Sequence, residues 1–99
     1  AIAERNLSII RDNLEHLDRF FQTHAHLFAW HRPKAGSIAF PGYKPGAVDT
    51  FCSRVLDQAG VLLLPGTLYP PGYNAFRIGF GRKNLPQALQ ALDSFLHSP

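Results

Sequence analysis

An arginine set inside an apolar strand pattern is the feature of this sequence that most invites a chemical reading. In NAFRIGFGR (74–82), Phe76, Ile78 and Phe80 alternate with Ala75, Arg77 and Gly79, and Arg82 follows just beyond. A planar guanidinium holds a carboxylate through two parallel hydrogen bonds, and a strand gives that fork a rigid mount. No acidic residue nearby in sequence claims Arg77, and the preceding segment PGTLYPPGYN (65–74) is dense in Pro, Gly and Tyr and has little freedom. The plainer alternative is a sheet arginine whose stem covers apolar surface while its head reaches water. Spacing alone leaves both readings open.

The other reactive residue types point away from self-contained chemistry. His24, His26 and His31 lie close together, but one-residue spacing at a helix end sends side chains in different directions. No cysteine or acidic cluster completes the set that zinc demands, so exposed or helix-capping histidines are expected. Cys52 sits among Val48, Phe51 and Val55 and reads as an inert core thiol. As the single cysteine it forms no internal disulfide, which fits a reducing compartment. Ser37 approaches His31 across an expected hairpin, yet no orienting acid and no G-x-S-x-G setting accompanies it. Gly79-Phe80-Gly81 lacks the third glycine of a phosphate-binding loop.

The elements that must position these residues follow from periodicity. Leu7, Ile10, Leu14, Leu17 and Phe21 recur at steps of three and four, predicting a helix over about 3–23. Leu27–His31 and Ser37–Phe40 read as strands joined in a hairpin by RPKAG, and Pro41, Gly42, Pro45 and Gly46 as a loop. A second helix is expected over about 47–58, its face formed by Val48, Phe51, Cys52, Val55 and Leu56, with Gly60 as its cap. The run VLLL (61–64) reads as a strand covered on both faces. After the Arg77 strand, Asn84 opens a last helix with Leu85, Leu89, Leu92 and Leu96 along one edge. Helix, hairpin, helix, strand, strand, helix is an α+β order: one small mixed sheet with about three helices packed against it.

The bulk properties bound the function. The 99 residues make a single domain, 1–99, and a composition 45% hydrophobic and 17% charged argues against disorder. No stretch approaches the roughly 18 apolar residues of a membrane span, and charges interrupt the opening AIAERNLSIIRD where a signal peptide would be apolar. The net charge of +3 is scattered rather than gathered into the stripe that nucleic acid requires. Residue 1 falls directly before a helical pattern without a methionine, as expected of a piece of a longer chain.

The succession PKAGSIAFP (33–41), FCSRVLDQAGVLLLPGTLY (51–69) and FRIGFGR (76–82) resembles the C-terminal part of fold-type I aminotransferases, the class I and II pyridoxal-phosphate enzymes related to aspartate aminotransferase. That family shows a Pro-x-Gly-Gly turn before a strand ending in Phe, a helix running into Gly-Val, a strand closed by Pro-Gly and an Arg-Ile strand. Here the first turn glycine is replaced by Ala35. The resemblance implies that Arg77 binds the α-carboxylate of an amino-acid substrate, with Tyr69 and Ser37 as substrate neighbours. It further implies that the Schiff-base lysine and phosphate cup belong to a large domain earlier in the chain, because Lys34, Lys44 and Lys83 match no such motif. On this reading the chain is a small domain, not catalytic alone and binding no pyridoxal phosphate by itself. Its partners are the large domain and the substrate, its parent is a cytoplasmic homodimer, and neither nucleic acid nor membrane is involved. The rival expectations are a standalone α+β module binding a small anionic ligand or a protein partner, and a weak RNA-binding fold.

Overall fold

Three amphipathic helices cover one face of a small strand assembly, and the central strand of that assembly carries Arg77. The computed structural model describes residues 2–34, 36–66 and 74–97, with side chains from residue 7 onward. Helix α1 spans Ile2–Thr23, α2 spans Val48–Ala59 and α3 spans Leu85–His97. The strands are β1 (Phe28–Ala29), β2 (Ile38–Ala39), β3 (Gly42–Tyr43), β4 (Leu64–Pro65) and β5 (Phe76–Gly79).

The α+β class and the three helices agree with expectation, and the helix ends fall within a residue of it. Helix α2 ends as its sequence demands: Gly60 takes φ 69°, and its N–H reaches the Leu56 carbonyl at 3.1 Å. Two residues of the helical stripes face water instead of core. Leu7 is 57% exposed and Leu56 50%, so the core-facing part of α1 starts at Ile10.

The strand pairing differs from the expected hairpin. Segments 27–31 and 37–40 do not pair with each other. Instead β1 runs antiparallel to β3, with Phe28 opposite Tyr43 and Ala29 opposite Gly42, while β2 runs antiparallel to β5. The close approach at Ala29 explains Gly42, since a Cβ there would stand 3.2 Å from the Ala29 Cβ. What composition marks as a Pro/Gly loop thus contains a strand. The sheet is likewise not a single mixed one. Among the described residues it consists of two antiparallel ladders, β1-β3 and β2-β5-β4, joined by an antiparallel bridge between Gly42 and Ala75.

The run 61–64 is not covered on both faces. Leu63 is buried, but Leu62 and Leu64 are 64% and 44% exposed, because among the described residues β4 pairs only with β5 and lies at an edge with helices on one side. The core lies on that helical side. Phe21, Phe28, Phe76 and Phe80 are among its fully buried side chains, and Phe28 meets Phe76 edge-to-face with centroids 5.8 Å apart. Tyr43 stacks on Phe51 at 4.2 Å, and Trp30 on Phe21 at 4.6 Å. Burying each such ring contributes about 1.5–3 kcal/mol. No helix among the described residues is long and apolar enough to cross a membrane.

Candidate functional site

Strand β5 alternates strictly: Phe76 and Ile78 are buried, Arg77 and Gly79 exposed. The buried pair fastens the strand to the helices, and the same period of two sends Arg77 out of the opposite face. β5 lies between two strands: its Phe76 and Arg77 pair with β4, and its Ile78 and Gly79 with β2. Leu64 lies directly opposite Arg77 in the ladder. Among the described residues the Arg77 guanidinium has no hydrogen-bond or ion-pair partner. It lines an open concavity of about 690 Å³, shared with Leu62, Leu64, Arg82, Asn84 and Gln87, and among the described residues no acid lines that surface.

Two asparagines tie the ends of this strand to the helices. At the exit, the buried Asn13 side chain of α1 donates from Nδ2 to the carbonyls of Phe80 at 2.9 Å and Arg82 at 2.6 Å. At the start, Asn74 accepts the Val48 N–H on its Oδ1 at 3.0 Å, which satisfies the first amide of α2 from a distant part of the chain. Asn74 Nδ2 donates to the Tyr43 carbonyl at 2.8 Å and also to the Gly46 carbonyl, and its own carbonyl accepts the Tyr43 N–H at 2.7 Å. Neither asparagine stands out from spacing as a functional residue. The available signal is at Asn13, an amide on the apolar face set by Ile10, Leu14 and Leu17.

The remaining candidates fall as follows. Ser37 stands beside the β5 exit, its carbonyl accepting the Phe80 N–H at 2.8 Å and its Cβ 3.4 Å from the position a Gly81 Cβ would take. The hairpin that would bring Ser37 to His31 does not form. Tyr69 lies outside the described residues. His24, directly after α1, is buried rather than exposed: it is 5% exposed, and its Nε2 meets Asp93 Oδ1 at 2.9 Å, linking the end of α1 to α3. His26 and His31 are exposed, and no cluster of three or more metal-ligating side chains occurs among the described residues. Cys52 is buried, and desolvation, then the nearby Asp49 carboxylate, pushes its thiol up to about 11. It stays protonated and inert at neutral pH.

The described residues do not fit pyridoxal phosphate itself. Lys44 donates its Nζ to the Ala25 carbonyl at 3.0 Å, and Lys34 and Lys83 are exposed in separate parts of the chain. None stands in a cleft beside both an acid and a phosphate cradle, the set that a Schiff-base site requires.

No protein-family model and no curated protein matches the sequence. Solved structures do. The pyridoxal-phosphate-dependent cyclase OrfR superposes with a TM-score of 0.82 at 28% identity, over 94% of this chain and 27% of its own. A pyridoxal-phosphate-dependent aminotransferase from Streptococcus suis gives 0.80 at 31% identity, over 94% of this chain and 25% of its own. Aspartate aminotransferase from Thermotoga maritima gives 0.75 at 22% identity, over 92% and 24%, a likeness of fold alone. The chain spans about a quarter of the length of the structures it matches. Its fold is that of an aminotransferase-like small domain of pyridoxal-phosphate-dependent enzymes.

Proposed function

We propose that this chain is the C-terminal small domain of a class I/II pyridoxal-phosphate-dependent aminotransferase acting on an amino acid, with Arg77 as the clamp for the α-carboxylate. The observation that carries this reading is the guanidinium of Arg77. It is partnerless among the described residues and projects from the side of the central strand opposite the buried Phe76 and Ile78, in a fold shared with enzymes of this kind. Two parallel N–H···O bonds would fix the carboxylate in plane, and with it the direction of the Cα–H bond. Gly79, exposed on the same face, adds no side chain beside that position, and Ser37 and Tyr69 are assigned as lesser neighbours of the substrate.

The cofactor, its lysine and its phosphate site are assigned to a large domain outside this chain. That domain would cover the face bearing Leu62 and Leu64, and the small domain would close over the substrate as a lid. The parent is assigned as a cytoplasmic homodimer of amino-acid metabolism that engages neither nucleic acid nor membrane. Amino-group transfer is the proposed reaction. A carboxylate clamp serves other Cα chemistry equally, and one matched structure is a cyclase.

The test is Arg77→Gln and Arg77→Lys in the full-length protein that carries this domain. The expected result is a fall in kcat/KM for the amino donor of about 10²–10³-fold for glutamine, with a smaller fall for lysine, which keeps the charge but loses the fork. Cofactor absorbance should stay unchanged. An unaltered kcat/KM in Arg77→Gln would defeat the proposal.

A further inference from the structure

Arg77 stands where one ladder hands over to the other. β4 pairs with Phe76 and Arg77, and β2 takes over at Ile78 and Gly79. Past them the Phe80 N–H closes on the Ser37 carbonyl at 2.8 Å, and the strand has left its neighbours. The carbonyls of Phe80 and Arg82 then both meet Asn13 Nδ2, on the core side of α1, at 2.9 and 2.6 Å. The Leu85 N–H shares the second of them at 3.3 Å.

Phe76, Ile78 and Phe80 anchor the strand by burial, but burial is non-directional and tolerates a small turn of the backbone. A planar amide whose two hydrogens each meet a carbonyl is directional, and it fixes the angle of the strand as well as its depth. A two-point clamp depends on that angle, because its groups must be held within about 0.5 Å and about 10–20° of the productive geometry.

We propose that Asn13 is a positioning residue for Arg77: through the Phe80 and Arg82 carbonyls it sets the angle at which β5 presents the guanidinium. The proposal rests on reading Arg77 as the carboxylate clamp. Asn13 is itself buried, and its effect passes through the strand.

The experiment is a double-mutant cycle of Asn13→Ser against Arg77→Gln in the full-length protein that carries this domain. Serine keeps one donor in a smaller side chain, and Asn13→Thr, which also keeps one, replaces it if the serine variant does not fold. The probes are the common L-amino acids, each followed in a single turnover by cofactor absorbance, and the fastest is carried through the cycle. Asn13→Ser should lower its second-order rate constant about tenfold in the parent background and less than about twofold in Arg77→Gln. A second readout needs no substrate: residual dipolar couplings of the ¹⁵N-labelled 99-residue chain. In Asn13→Ser the N–H vectors of residues 77–82 should turn by about 10° or more relative to those of α2 and α3. Unmoved vectors, or equal rate losses in both backgrounds as a merely structural role demands, overturn this proposal and leave the Arg77 reading standing. An unaltered rate in Arg77→Gln, or no reaction with any amino acid, removes both.

Discussion

Asn13 Nδ2 stands 2.6 Å from the carbonyl oxygen of Arg82, and this bond joins residues 69 positions apart at the point where the Arg77 strand ends. The Phe80 carbonyl, where the antiparallel ladder has run out, meets the same amide. A carboxamide on the buried face of a helix is unfavourable unless its hydrogen bonds are made, and here both donors go to the strand exit.

Asn13→Leu should therefore cost more than its shape suggests. It fills the space but leaves the Phe80 carbonyl, in a buried bond, without its Asn13 donor and the Arg82 carbonyl with only the Leu85 N–H, at about 1–3 kcal/mol. Urea unfolding checks this, and a midpoint equal to that of the parent chain would refute the role. Amide shifts at 80–82 should move more than those in α2.

Asn74→Ala should loosen the start of α2, because Ala47, at the capping position, makes no side-chain cap and Asn74 supplies it from afar. The expected loss is about 1–2 kcal/mol, near the upper range for caps, since the Tyr43 and Gly46 carbonyls lose their donor as well. Asn74→Asp should recover only the bond to Val48. Hydrogen exchange at Val48 is the sensitive probe.

Cys52 gives a prediction in pH. Its thiol is raised in the folded chain from 9.0 to about 11, chiefly by desolvation and secondarily by Asp49. The folded state thus holds this proton more tightly than the unfolded state does. The stability from this group is fully present below pH 9 and is lost as pH rises through 9 toward 11. Cys52→Ala should flatten that part of the profile, and Ellman's reagent should react slowly with the native chain at pH 8 and fast once it is unfolded.

The helices were legible because a stripe such as Ile10, Leu14, Leu17 and Phe21 depends only on local spacing. The pairing was not. A two-residue strand such as Phe28–Ala29 fits any antiparallel neighbour, and the fit between Ala29 and a bare Gly42 that selects its partner is a tertiary fact. His24 was misread for the same reason. Its place at a helix end suggests solvent, while its burial depends on α3 arriving with Asp93. The outward direction of Arg77 was readable from its alternation with Phe76 and Ile78. Its supports, Asn13 and Asn74, were not, because their partners are backbone carbonyls and amides far off in sequence.

The most direct measurement is a crystal structure of the full-length protein with an amino acid bound. The account predicts both carboxylate oxygens at about 2.7–3.0 Å from the two terminal nitrogens of Arg77, in a fork with no internal acid competing. A carboxylate held by other residues, with Arg77 turned to solvent or paired to an Asp or Glu of the protein, would contradict it.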